Sequence, residues 1–364
     1  MRILRLELEG LRCVQRARLT PGPGVQFLCG PNGAGKTTVL EGMHLLGYGR
    51  SFRGGLRDAT VARGSAHSLV FAELERERGG LQRVGLRRAA RTWSARVDER
   101  DVEGLAELFL ACPVVCFEPG SHELIAGGSE SRRAYLDWTV FHVEPGFLPA
   151  WRRLQRALRQ RNAGLRAGWS DALLAPWEEE LADASLIVAE ARNTALEELR
   201  SAVMAKAQAF LPELGAVGLV LGSGFGERAA RTREEILAAY CEGRDQDRER
   251  GFTRFGAHRA DWQLSFAEAP RREYLSRGQE KLAALVMELA QVEHFRERSG
   301  EWPILLLDDL GAELDAEHLD RVLEWVFGAG LQAWITGTSV PPALHDRPQD
   351  WHLFHVEQGV VSAA

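Results

Sequence analysis

The stretch Gly30-Pro31-Asn32-Gly33-Ala34-Gly35-Lys36-Thr37 constrains the fold of this chain more than any other. It fits G-x-x-x-x-G-K-[ST], in which glycines let backbone N–H groups turn inward and the next helix aims its positive end at the same point. An apolar run, Val25 to Cys29, leads into it, and Val39-Leu40-Glu41-Gly42-Met43-His44-Leu45-Leu46 follows at helical spacing. The predicted unit is therefore strand, polyphosphate-binding loop and helix. Lys36 can reach β- and γ-phosphates, the Thr37 hydroxyl is placed for Mg²⁺, and Thr38 continues the loop into the helix.

With 364 residues there is material for two or three compact units. The longest apolar stretches, such as Ile304 to Leu307, are too short to cross a bilayer. Ile3, Leu4, Leu6 and Leu8 alternate with arginines, which predicts a strand and not a signal peptide. The five cysteines form no ligand pattern, and a cytoplasmic location is expected. A formal charge of −6 excludes a uniformly basic coat but not a local basic patch. Only Lys36, Lys206 and Lys281 are lysines among 45 Lys and Arg residues, so a lysine in the loop points to a need for a compact ammonium.

Residues 1–29 read as two strands, 38–48 as helix and 57–117 as β-rich, with Pro113 to Phe117 a buried strand. From about 131 the pattern turns helical. Leu148, Trp151, Leu154, Leu158 and Leu165 form one stripe, and Leu174, Trp177, Leu181, Ala184, Val188, Ala191, Ala195 and Leu199 a longer one. Gly164 to Ser170 makes the turn, with Ser170 or Asp171 as N-cap. Residues 215–226 return to strand and loop, and 233–241 read as a short helix. The expected division is a nucleotide-binding head from 1–130 and 215–364, with a helical hairpin arm over 131–214.

Downstream, Ile304-Leu305-Leu306-Leu307-Asp308-Asp309 is four buried-strand residues ending in two acids. A parallel strand ending this way sets Asp308 beside a metal and Asp309 beside an attacking water. Alone, it would equally suit a core strand ending in a solvated turn. Before it, Leu275-Ser276-Arg277-Gly278-Gln279-Glu280-Lys281 opens an amphipathic helix whose first N–H groups suit an anion or merely a cap. In the order loop, Ser-x-Gly-Gln, acidic strand, the chain resembles the ABC-type ATPases. There, Ser276, Arg277, Gly278 and Gln279 would meet a γ-phosphate bound by a second subunit. Gly311-Ala312-Glu313-Leu314-Asp315 resembles the D-loop of that class. Thr336 or Thr338 stands where transporter ATPases carry a histidine.

Within that class the whole chain resembles the RecF family. The segments that carry the likeness are the loop, Gly49-Arg50-Ser51-Phe52-Arg53, Phe117-Glu118-Pro119, Ser131-Arg132-Arg133-Ala134-Tyr135-Leu136-Asp137, Gly256-Ala257-His258-Arg259-Ala260-Asp261, the Ser276 helix and the acidic strand. Gly120-Ser121-His122 departs from the family's acidic pair, Ala257 and Ala260 replace a proline and an aspartate, and no Q-loop glutamine is found. His258 fits either a functional or a structural role.

The resemblance implies an α/β ABC-type ATPase head with an inserted helical arm, ATP and Mg²⁺ as cofactors, and a slow ATPase used as a switch through Lys36 and Asp309. It implies an ATP-dependent homodimer at gapped or junction DNA, acting with RecO and RecR-type mediators in replication, repair and the SOS response. On the first arm helix, Arg152, Arg153, Arg156, Arg159, Arg161 and Arg166 lie in a span without acids, suited to phosphates or to a plain solvated face. Arg83, Arg87, Arg88, Arg91 and Arg96 form a second cluster. Two other readings are a transporter-type ATPase subunit, disfavoured by the arm and the absent histidine, and an SMC-like structural clamp, for which the arm is short.

Overall fold

A computed structural model describes residues 1–54, 60–89, 92–226, 231–347 and 349–363. The chain forms two compact units, one of Met1–Ser121 with Ala284–Ala364 and one of His122–Ala283. The expected arm was 131–214. The observed division adds residues 122–130 and 215–283 to it, because the strands and helix after residue 214 pack with the arm helices.

The first segment contributes β1 (Arg2–Leu11), β2 (Val14–Leu19), β3 (Val25–Cys29), α1 (Lys36–Tyr48), β4 (His67–Glu75), β5 (Leu81–Ala89), β6 (Trp93–Val97), β7 (Arg100–Asp101), α2 (Leu105–Ala111) and β8 (Val114–Phe117). Where two strands were expected before the loop, there are three. The hairpin between β1 and β2 turns at Arg12 with φ 48°, a conformation that no Gly or Asn advertised. One antiparallel sheet runs β2-β1-β4-β5-β6-β7. Alternate residues of β4 are buried, and Leu6, Leu8, Val70, Ala72, Val84 and Leu86 pack in one core with Val39, Leu40 and Met43 of α1.

The second unit holds α3 (Glu123–Ala126), α4 (Ser129–Val143), α5 (Phe147–Arg166), α6 (Asp171–Phe210), β9 (Val217–Gly222), α7 (Arg233–Arg250), β10 (Asp261–Phe266) and the start of α8 (Arg277–Ser299). Ser170 occupies the N-cap of α6 without a side-chain bond. Helix α7 runs nine residues beyond the expected Cys241. A Thr232–Glu235 capping box starts it and Gly251 ends it, while its charged second half carries no stripe to read. Leu154, Ala157, Leu181, Ala184 and Val188 form the core with Ile236 and Tyr240.

Arg161, expected among exposed phosphate-seeking arginines, is fully buried. It bonds Asp247 at 2.8 Å, Glu178 at 3.1 Å and the Thr253 hydroxyl at 2.9 Å, which braces α5, α6 and α7. The family-bearing segments also meet in this unit. Arg132 forks onto Asp261 at 2.6 and 3.0 Å, and Arg192 joins Asp137 to the Ala257 carbonyl. His258 Nε2–H donates to the Thr253 carbonyl, 3.1 Å away. Burial pushes its pKa down to about 4, and nearby arginines push the same way.

The remaining segment supplies most of α8, then β11 (Ile304–Leu307), α9 (Leu310–Glu313), α10 (Ala316–Ala329), β12 (Ala333–Gly337), α11 (Pro342–His345), β13 (Trp351–Glu357) and β14 (Val360–Ala363). These complete a second sheet, β14-β13-β3-β12-β11-β8, parallel except for β14. Its central strands are buried on both faces and mostly apolar, with one buried polar residue each in β3 (Gln26) and β12 (Thr336).

Candidate nucleotide site

The carboxyl ends of β3, β12, β11 and β8 lie along one edge of the parallel sheet, where open α/β sheets place ligands. β3 delivers Gly30 there and α1 begins at Lys36. Gly35 turns the chain at φ 115°, which a residue with a Cβ rarely adopts. A Cβ at Gly30 would run into the Val356 carbonyl, and Gly359 N–H bonds the Ala34 carbonyl at 2.8 Å, so the β13–β14 hairpin backs the loop. Lys36 Nζ bonds the carbonyls of Gly30 (2.7 Å) and Pro31 (3.1 Å), leaving one of its three N–H groups for a phosphate.

The two acids after β11 are held by hydrogen bonds from the start of α1 and from the neighbouring strand β12. Thr37 Oγ1 donates to Asp308 Oδ1 at 3.0 Å, and Thr336 Oγ1, from β12, donates to the same oxygen at 2.7 Å. Asp309 N–H in turn donates to Thr336 Oγ1 at 2.7 Å. Asp308 is buried, and its pKa is raised by that burial and by the adjacent Asp309 carboxylate, against the two threonine donors. Asp309 sits at φ 52°, an uncommon conformation that turns its side chain into the cleft.

The cleft has a volume of about 260 Å³ and is lined by Asn32 to Thr38, Arg12, Cys13, Arg53, Asp309 and Thr336. A desolvated carboxylate 3.0 Å from a threonine hydroxyl fits Mg²⁺, which takes few protein ligands beside phosphate and water. No group of three or more His, Cys, Asp or Glu gathers as a metal cage among the described residues.

Arg12 and Arg53 escaped the sequence reading as site residues. Arg12 forks onto the fully buried Glu41 of α1 and bonds Ser51 Oγ, which also accepts from Arg53 N–H at 3.1 Å. Arg53 was visible only as part of Ser51-Phe52-Arg53. Arg12 carried no signal, since its place depends on the hairpin turn. Thr336, one of two threonines considered, holds both acids, whereas the Thr338 carbonyl receives the Cys29 thiol at 3.5 Å.

Ser276, Arg277, Gly278 and Gln279 lie at the start of α8 in the second unit, each exposed or half-buried. Ser276 N–H donates to Gln279 Oε1 at 3.0 Å, and Gln279 N–H to Ser276 Oγ at 3.3 Å, a reciprocal cap. Asp315 caps α10 through His318 N–H at 2.9 Å, which with the His318 ring lowers its pKa. On α5, Arg152 and Arg159 are exposed with no ion pair among the described residues, Arg153 forks onto Glu180, and Arg156 lies 5.8 Å from the Trp177 ring centroid. In the second cluster Arg83 pairs with Glu73 and Glu99, and Arg96 with Asp101. Arg87 instead meets the His67 ring, and Arg88 the Gly49 carbonyl. Arg91 lies outside the described residues.

The family model described as RecF/RecN/SMC N terminal domain matches residues 2–339. "DNA replication and repair protein RecF" of Stenotrophomonas maltophilia is 43% identical over 369 residues, covering 100% of both chains. The protein of the same name from Thioalkalivibrio sulfidiphilus is 34% identical, with 98% of each covered. Among solved structures, one described as the recombination mediator protein RecF-ATP in the RecFOR pathway superposes with TM-score 0.89 at 24% identity, over 100% of this chain and 97% of that one. An Smc head domain from Pyrococcus furiosus gives 0.57 at 14%, over 100% and 95%. These likenesses show an ABC-type ATPase head fold.

Proposed function

The chain belongs to the RecF family, and from that premise we propose that it is an ATP-switched DNA repair and replication protein. The observation that carries the reading is the hydrogen-bonded series Thr37–Asp308–Thr336–Asp309 across the cleft. It links the phosphate loop, the acidic strand and the next strand, which are the parts a γ-phosphate switch requires.

In this reading Lys36 and the loop N–H groups hold the β- and γ-phosphates, and Arg53 adds positive charge at the open side of the cleft. Thr37 and Asp308 would hold Mg²⁺, which offsets phosphate charge when bound. Asp309 orients or deprotonates the attacking water. The Ser276 cap at the head of α8 contacts the γ-phosphate held by a second copy, so that contact exists only in an ATP-bound dimer. Hydrolysis removes it and releases DNA. Arg152 and Arg159, with Arg153 and Arg156 partly engaged, are the surface proposed for DNA at gaps or single-strand/double-strand junctions. RecO and RecR-type mediators are the proposed protein partners, and the cytoplasm the site of action. No helix among the described residues is long and apolar enough to cross a membrane.

The test is binding to a gapped duplex in ATP, ADP or neither, with mass followed by light scattering. ATP alone should yield a DNA-retaining dimer. Lys36→Ala should abolish nucleotide binding, and Asp309→Asn should prolong the dimer. Equal binding by monomers in all three conditions would refute the switch.

A further inference from the structure

Helix α6 ends at Phe210 and passes into a 3₁₀ turn, Pro212–Leu214, whose middle residue is the exposed Glu213. Glu213 Oε1 accepts from Gln279 Nε2 at 3.2 Å. The turn is anchored beneath it. Leu214 is buried, its carbonyl accepts from Glu268 N–H at 3.1 Å, and Ala267 N–H donates to the Ala216 carbonyl at 2.8 Å. Glu213 therefore stands on backbone tied to the segment just after β10.

A glutamine amide can sit either way round, and its neighbours choose. Here both choose alike. Gln279 Oε1 faces the Ser276 N–H donor, and Nε2 faces a carboxylate that can only accept. The reverse orientation would set N–H against N–H and carbonyl against carboxylate. With the amide fixed, Gln279 N–H occupies Ser276 Oγ as acceptor, and the hydroxyl hydrogen remains to donate outward.

We propose that Glu213 is a positioning residue for the Ser276 cap: it fixes Gln279 so that Ser276 presents its hydroxyl hydrogen to an anion on a second copy of this chain. This rests on the reading above, in which that anion is the partner's γ-phosphate. Glu213 also makes the end of α6 part of the same hydrogen-bonded unit. Because α6 packs along α5 through Leu154, Ala157, Leu181 and Ala184, the helix bearing Arg152 and Arg159 shares a packed core with the strut that reaches the cap. Neither the charge of Glu213 nor the end of α6 is otherwise engaged by the nucleotide chemistry.

The experiment compares wild type, Glu213→Ala, Glu213→Gln and Ser276→Arg by ATP-dependent dimerisation, by affinity of the monomer for a fluorescent ATP analogue, and by thermal melting. Loss of one exposed, charge-assisted bond should weaken each composite site by about threefold, and two sites make the dimer about tenfold weaker. Glu213→Gln keeps an acceptor and should restore dimerisation. Nucleotide affinity and melting should not move, because the cleft belongs to other residues. Dimerisation of Glu213→Ala at the wild-type level, with Ser276→Arg defective, would overturn the proposal alone. A Glu213→Gln variant as weak as Glu213→Ala would overturn positioning through the amide. Wild-type dimerisation by Ser276→Arg would overturn the trans reading, and this proposal with it.

Discussion

Replacing Thr336 by valine keeps the shape of a side chain only 1% exposed and removes one oxygen with two duties. That oxygen donates to Asp308 and accepts from Asp309 N–H, both at 2.7 Å. Burial already raises the Asp308 pKa, and Thr336 is one of two donors opposing the rise, so its loss raises the pKa further. A hydrogen bond to a charged group contributes about 1.5–3 kcal/mol, so the proton should bind Asp308 roughly ten- to a hundredfold more tightly. Mg²⁺ competes with that proton. Mg²⁺-dependent ATP affinity should therefore fall in the acidic range and recover as pH rises, with the whole profile displaced to the alkaline side. The assay is titration of a fluorescent ATP analogue from pH 5 to 9, with Mg²⁺ and with EDTA. An undisplaced profile, or a loss uniform across pH, would refute the reasoning and leave Thr336 a scaffold residue.

Arg161→Met should destabilise the protein by about 3–5 kcal/mol in urea unfolding, because Glu178 and Asp247 stay buried with one cation fewer between them. A loss below about 1 kcal/mol would show that Arg244 and Arg254, which also bond those acids, suffice alone. Glu288 is buried, bonded to Ser121 Oγ at 2.9 Å, and its pKa is raised well above the usual carboxyl range by burial, with Glu118 adding to the rise. The neutral acid is the form the fold favours, so its contribution is complete below the unfolded pKa and lost as pH climbs through the raised one. Glu288→Gln should match wild type near pH 5 and melt higher at pH 9; parallel melting curves across that range would contradict this.

What was legible in the chain followed from how far each signal travels. The loop and the Asp308-Asp309 ending are short patterns whose meaning lies in adjacent residues, and the stripes of α5 and α6 repeat often enough to read. Arg12 reaches the cleft through a hairpin that closes at a non-glycine left-handed residue, so nothing local marked it. The tie from Thr336 to both acids depends on β12 lying between β3 and β11, a fact of sheet order. Arg161 looked like its exposed neighbours because its acids, Glu178 and Asp247, come from α6 and α7. The return boundary at residues 283 and 284 was hidden for a different reason: it falls inside the unbroken α8, where no Gly- or Pro-rich linker exists to be seen.

The place of β3 in its sheet has a consequence for how the chain is made. Both of its neighbours, β12 and β13, are synthesised more than 300 residues later. During translation Val25 to Leu28, all buried in the finished sheet, must wait while the entire His122–Ala283 unit emerges with the material for its own core. Such long-range parallel pairing is slow and leaves an apolar strand open to wrong partners. A ribosome stalled before residue 333 would thus carry a completed arm unit beside a phosphate loop that has no sheet to hold it. Holdase binding to such stalled chains should centre on β3.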